Sequence, residues 1–436
     1  MFPQILLPKI SPNERKMFNF TGETKHREGM NVLYISYDGM TDALGRSQVI
    51  PYLAGLSQKG HKIHVISCEK KDTFASGRVD VENIFKKNAI SWTPLWFSTF
   101  PPLLSKIFDL IKIRRVALRQ HRKTPFEIVH CRSYIASFAG LFMKKRLGLR
   151  FVFDMRGFWV DERFEGNIWN RSNPFFRLVY TYFKKREKEF FSHADAIVSL
   201  TDSGRRIIGQ TFGQKAKSLT RVIPCCTDTD LFSLKNIQSE IKENLRKELE
   251  IDPAHFVISY LGSIGTWYMT LEMMDFFRRL LRKFPDARFL FITGEEPQQI
   301  FYAARKAYID PTSIIVVKAA RNEVPLYLSL SDISIFFIKP VFSKKASSPT
   351  KQAEIMSMGI PFITNQGIGD TDQIVKETGV GILVDDFTEE AYDGAISQIP
   401  ALLKKAPESI RQCALDYFNL ETGVEKYHEI YKGLKS

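Results

Sequence analysis

A short apolar strand, a glycine-bearing loop and a helix recur in both halves of this chain, and that alternation restricts the fold more than any other feature. In the first half NVLYIS, residues 31–36, reads as a buried strand, followed by the loop YDGMTDALGRSQ. A helix then runs to about Lys59, Gly60 ends it, and residues 62–67 form the next strand. Further strands are expected over 127–131, 150–154 and 196–200, with helices over 133–147 and 175–192 between them. The stretch from Val222 to Asp252 reads as a linker and a charged helix. The pattern then restarts with a strand at 256–261, the loop GSIGTWYM and a helix from about Thr270 to Phe284. Strands at 288–293, 314–317, 333–338 and 381–384 follow, and residues 408–434 read as one long amphipathic helix. A length of 436 residues accommodates two or three cores. The expectation is two α/β domains, each on a parallel sheet, with ligands beyond the carboxyl ends of the strands and a cleft between the domains.

The stretch SSPTKQAEIMSMGIPFI, residues 347–363, carries the sharpest local signal. Ser348 reads as an N-cap with Pro349 at the first helical position, and Gly359 and Pro361 close the helix before a strand over 361–364. Lys351 then sits in the first turn, where the helix dipole disfavours a cation. A bound anion would account for it. A lysine and the free N–H groups at one helix start can together hold a diphosphate, with Ser348 and Thr350 contributing. Glu354, one turn on, can accept from the vicinal hydroxyls of a ribose. The alternative is a solvated ion pair worth under about 1 kcal/mol.

Two loops hold equivalent places in the two domains. The first contains Gly39 and Gly45, the second Gly262, Gly265 and Thr266. Their glycines let backbone approach a ligand, and Thr266 can donate a hydrogen bond; a plain β–α turn uses the same residues. FDMRGFWVDER, residues 153–163, places Arg156 and Asp161 beyond a strand end, where a site belongs in this architecture; a structural Asp–Arg pair is the competing reading. The DTD triplets at 228–230 and 370–372 read as turns rather than metal ligands, and the eight histidines show no ligand spacing.

Net charge is +14, and residues 101–150 hold twelve Lys or Arg against two Asp or Glu. This favours phosphorylated substrates, anionic lipid or nucleic acid, though no nucleic-acid motif is present and none is expected as partner. The segment from Thr93 to Lys123 joins an aromatic loop to a basic amphipathic helix, with Leu104, Phe108 and Ile111 on one face. It is either an ordinary packed helix or a rest for an anionic membrane surface. Five scattered cysteines suit a reducing cytosol, and no run is long enough to span a membrane.

Taken in order, LGRSQVIPYLAGLSQKGHKIHVIS, HADAIVSLTDSG, VIPCCTDTDLF, SSPTKQAEIMSMGIPFITNQGIGD and FNLETGVEKYHEIYKGL resemble glycosyltransferase family 4, a group of retaining enzymes with the GT-B architecture. Residues 1–29 are polar and unpatterned and read as a loosely packed N-terminal extension. The resemblance implies an acceptor-side Rossmann-like domain over 30–222. It further implies a nucleotide-sugar donor domain over 223–406 and a C-terminal helix over 407–436 that packs back on the first domain. By that resemblance Glu354 binds the donor ribose, Lys351 the donor phosphates, and Gly45 lies beside those phosphates. Arg156, Asp161 and Lys351 are the expected catalytic or orienting groups, with Gly45, Gly262, Thr266, Ser348, Thr350, Lys351 and Glu354 on the donor. No metal or other cofactor is expected; the donor is a nucleoside-diphosphate sugar and the acceptor a saccharide or a lipid-linked species. A cytoplasmic protein, peripheral to the inner face of a membrane and serving cell-surface polysaccharide or glycoconjugate synthesis, is the matching expectation. Three departures stand out. The first glutamate of the family's pair falls at Ala346, the basic residues after the second glycine loop are replaced by Ile264, Thr266 and Trp267, and Cys225 and Cys226 follow Pro224 at the crossover. An epimerase or an inverting transferase on the same fold, and a non-catalytic sugar-nucleotide binder with a decayed site, are the competing readings.

Overall fold

The computed structural model describes residues 29–100 and 104–435. Apart from Gly29, the expected N-terminal extension lies outside the described residues. The first sheet contains β1 (Asn31–Ser36), β2 (Lys62–Glu69), β3 (Ser91–Trp96), β4 (Ile128–Arg132), β5 (Arg150–Asp154), β6 (Ala196–Ser199) and β7 (Thr220–Val222). The second contains β8 (Val257–Leu261), β9 (Arg288–Ile292), β10 (Ile314–Val317), β11 (Ile333–Phe336), β12 (Phe362–Asn365) and β13 (Gly381–Val384). Their orders are β3-β2-β1-β4-β5-β6-β7 and β10-β9-β8-β11-β12-β13, and every pairing is parallel. The central strands are buried on both faces, which is why they read as continuous apolar runs rather than alternating ones. In each sheet the order reverses beside its first strand, between β1 and β4 and between β8 and β11, so each domain has its crevice at a corresponding place.

The aromatic loop expected near Thr93 is in part the edge strand β3. The helix expected up to Lys59 is two, Ala43–Gln48 and Ile50–Gln58, broken at Val49 before Pro51. The long terminal helix is also two. Helix Pro407–Phe418 contributes Ile410, Ala414 and Phe418 to the second domain's core. Asn419, in extended conformation, then interrupts the helix and caps helix Leu420–Gly433, accepting from the N–H groups of Glu421 and Thr422. Only this second helix returns to the first domain, where Val424, Tyr427 and Tyr431 join its core. Gly55 makes the close approach feasible: a Cβ there would stand 2.7 Å from Val424.

Candidate functional site

The centre of the second domain's crevice is Lys351. Its helix runs over Thr350–Ser357, so Lys351 is the second residue and Thr350, half-buried, the first. Pro349 rather than Ser348 occupies the N-cap position, and no side chain caps the helix. The Ser348 hydroxyl instead accepts from the Cys225 N–H at 3.1 Å, tying the helix start to the interdomain crossover. Lys351 is 6% exposed. Its Nζ donates to the Tyr260 hydroxyl at 2.8 Å and lies 4.0 and 3.7 Å from the ring centroids of Tyr260 and Tyr268. Tyr260 is the fourth residue of β8, and Tyr268 is bridged to Ile338 beyond β11, so the two strands at the switch point build the cage. Gly262, at φ 109°, completes it: a Cβ would stand 3.2 Å from Nζ.

Among the described residues Tyr260 is the one hydrogen-bond acceptor shown for Lys351. Two cation–π contacts contribute about 1–2 kcal/mol, less than the several kcal/mol that burying an ammonium costs. Burial therefore holds the Lys351 pKa well below the ordinary lysine value, against the opposing pull of Glu354. Glu354 is itself engaged by Arg321, whose guanidinium also lies over the Phe232 ring. Burial raises its pKa, and Arg321 only partly offsets that.

The first domain brings Arg156 to the same crossover. β5 ends on Asp154, and the chain turns through Arg156 at φ 56° and Gly157 at φ 126°. Arg156 donates through Nη2 to the Gln48 side-chain carbonyl at 3.4 Å and to the Cys225 thiol at 3.3 Å, while its Nε has no partner among the described residues. Behind it Asp154 accepts from the Tyr427 hydroxyl at 2.9 Å, and His130 Nδ1 is 2.6 Å from the Tyr431 hydroxyl. Burial would raise the Asp154 pKa, but Arg156, His130 and Arg132 together hold it below the usual carboxylate value. His130 is thus packed against the returning helix.

Other expected site residues have different surroundings. Asp161 is buried, and its oxygens accept from Tyr180 at 2.7 Å and Lys184 at 3.0 Å, both on helix Pro174–His193. It ties helix Trp159–Glu165 to that helix, and each of its oxygens is engaged there. Gly45 is buried in its helix, and a Cβ there would be 2.1 Å from the Gly39 carbonyl oxygen, so packing by itself accounts for the glycine. Thr266 is exposed at φ 40°. The DTD aspartates serve backbone N–H groups: Asp228 caps Asp230 and Leu231, and Asp370 accepts from Asp202 and Ser203 across the domain junction.

That junction contains groups the sequence did not flag. The turn Phe342–Ala346 lies against helix Trp159–Glu165: Lys344 Nζ is 2.5 Å from Glu162, and the Ser343 N–H donates to Glu165 at 2.9 Å. Lys344 also lies 3.9 Å from the Trp267 ring centroid, and Trp267 packs where Gly166 has no side chain. Ala346, at the place of the missing glutamate, is fully buried in the first domain's core. A cavity of about 250 Å³ flanks the crossover, lined by Thr201, Ser348, Gln352, Asp370 and Lys426 among others. The lysine pair in FSKKASSP, just beyond a strand end, was a usable signal for Lys344; no spacing pointed to Arg321 or Tyr260.

Residues 49–231 match the family described as Glycosyltransferase Family 4, and residues 241–411 the one described as Glycosyl transferases group 1. Among curated proteins none matches the chain. Several solved structures share the fold. A glycosyltransferase from Rickettsia africae superposes with a TM-score of 0.69 at 16% identity, over 94% of this chain and 99% of that one. Sucrose-phosphate synthase from Thermosynechococcus elongatus also gives 0.69 at 16%, over 93% and 99%. HepE from Anabaena, in complex with UDP and glucose, gives 0.65 at 13%, over 92% and 99%. At these identities the likeness speaks for the fold alone.

Proposed function

This chain is a GT-B glycosyltransferase of the family 4 type, and from that premise we propose that Lys351 receives the diphosphate of a nucleoside-diphosphate sugar whose glycosyl group passes, with retention, to an acceptor hydroxyl. The observation that carries this reading is a lysine side chain buried at a helix start, for which the Tyr260 hydroxyl is the one hydrogen-bond acceptor among the described residues. A departing nucleoside diphosphate gains negative charge, and a fixed cation with adjacent helix N–H groups stabilises that charge in the transition state. Glu354, held by Arg321, presents its carboxylate to the ribose hydroxyls. Arg156, reaching the crossover from the other domain, lies on the acceptor side. The UDP and glucose named with HepE support a nucleotide-sugar donor. Cell-surface glycoconjugate synthesis is the pathway class that suits a lipid-linked acceptor.

Helix Leu104–Lys123 supports a membrane-surface acceptor. Its inner face is Asp109, Ile113 and Ala117, all fully buried, whereas Ile107, Phe108 and Ile111 are exposed beside Lys106, Arg114 and Arg115. The apolar stripe therefore faces outward, which suits anionic lipid by charge and by hydrophobic area. Vesicle co-sedimentation with anionic and zwitterionic lipid tests it; equal binding to both would remove this element.

Thermal-shift titration with UDP-, GDP- and ADP-sugars tests the donor site. One nucleotide class should stabilise the wild type, with the shift lost in Lys351→Met and weakened in Glu354→Gln. No stabilisation by any donor would overturn the reading. The product anomer, read by NMR, decides retention, and donor consumption without an acceptor would point instead to epimerisation.

A further inference from the structure

We propose that Lys351 stands uncharged in the empty site and takes up one proton from solvent as the diphosphate enters, so that donor binding is proton-linked. The inference rests on the donor-site reading above and adds how that site is regulated. The cage suits a neutral amine. Tyr260 gives its hydroxyl proton to the Ser263 carbonyl, so its oxygen is left to accept one N–H of Lys351. The Tyr268 ring, 3.7 Å from Nζ, faces a second. The remaining direction opens on Gly262, where the absent side chain leaves room next to Nζ. A lone pair there is ready for a proton, and the ammonium it becomes would meet a diphosphate oxygen.

The groups around Lys351 agree. On its own helix Glu354 favours the ammonium, but Arg321 holds that carboxylate. From β8 and the following loop come only the tyrosines Tyr260 and Tyr268, whose own pKa values burial raises, Tyr268 to about 12. Cys225, Glu162 and Glu295 act on those tyrosines rather than on Lys351. An arriving dianion supplies the charge that the site lacks. Affinity should then be flat below the pKa of the empty site and fall up to about tenfold per pH unit above it, until the pKa of the occupied site is passed.

Calorimetric titration of the full-length protein with UDP, GDP and ADP, at pH 8 and 9 in two buffers of different ionisation enthalpy, reads the linkage. At those pH values a terminal phosphate of pKa about 6 brings no proton of its own. The wild type should take up close to one proton at one or both pH values. Lys351→Arg, which stays charged, should bind with uptake near zero, and Lys351→Met should lose most affinity together with the uptake. Nucleotide binding by the wild type without uptake, or equal uptake in Lys351→Arg, would overturn the proton linkage while leaving the donor site standing. No binding of any of the three nucleotides would sink the donor-site reading and the linkage together.

Discussion

Acid should release the helix that returns to the first domain, because the pair holding it cannot accept a proton without losing a hydrogen bond. His61 is 2% exposed, and its Nδ1 accepts from the Met30 N–H at 3.1 Å. That fixes the tautomer: the proton is on Nε2, which donates to His428 Nδ1 at 2.8 Å. Tyr431 closes edge-on over the ring, and the exposed Lys59–Glu425 pair lies nearby. Burial, with His428 adding to it, lowers the His61 pKa from 6.5 to about 4. When the helix lifts, the unfolded value returns, so the open form binds more protons between the two. Docking stability is therefore fully present above about pH 6.5 and is lost as pH falls through 4. The full shift corresponds to about 3 kcal/mol, and at pH 5 about 2 kcal/mol is already lost, a factor of about 30 in the opening equilibrium. Amide hydrogen exchange over residues 420–433, corrected for intrinsic rates, reads this directly at pH 8 and pH 5. His61→Gln should start lower and lose little further protection. Unchanged protection in the wild type, or the same loss in the variant, would refute the reasoning.

Two further outcomes separate packing from ligand roles. Gly45→Ala forces a Cβ against the Gly39 carbonyl oxygen, a backbone atom with little room to move; a cost of about 1–3 kcal/mol should lower the thermal midpoint without any ligand present. A fully stable Gly45→Ala protein with weaker donor binding alone would restore the phosphate role. Lys344→Ala removes the contact with Glu162 and the cation over Trp267. Small-angle scattering should then show a larger radius of gyration as the domains part, and unchanged scattering would mean that the remaining junction contacts suffice.

Much of the architecture was legible because it is written in neighbours. Helix Ser133–Leu147 and strand β5 match their sequence expectations residue for residue, since buried parallel strands are continuous apolar runs and a glycine in the left-handed region, Gly148 at φ 73°, ends the helix. The break at Asn419 was also written locally, in an Asn two and three residues before the N–H groups it caps, yet the amphipathic period runs through it and hides the stop. Ser348 misled for the opposite reason. It has the chemistry of an N-cap, but Cys225, 123 residues away, takes its hydroxyl. Asp161 likewise looked free in a loop beyond a strand end and is consumed by a helix that follows it.

By itself the sequence determined two parallel sheets, a lysine in a helix's first turn and the glycines around it, because periodicity, capping and backbone freedom act over a few residues. Tertiary structure decided what those residues face. Lys351 meets aromatic rings instead of a carboxylate, Arg321 claims Glu354, Ala346 fills the core of the opposite domain, and Arg156 reaches the crossover thiol. Charge and burial at a site depend on which side chains the folded backbone sets within a few ångströms, and partners separated by tens to hundreds of positions leave no spacing for a linear reading to detect.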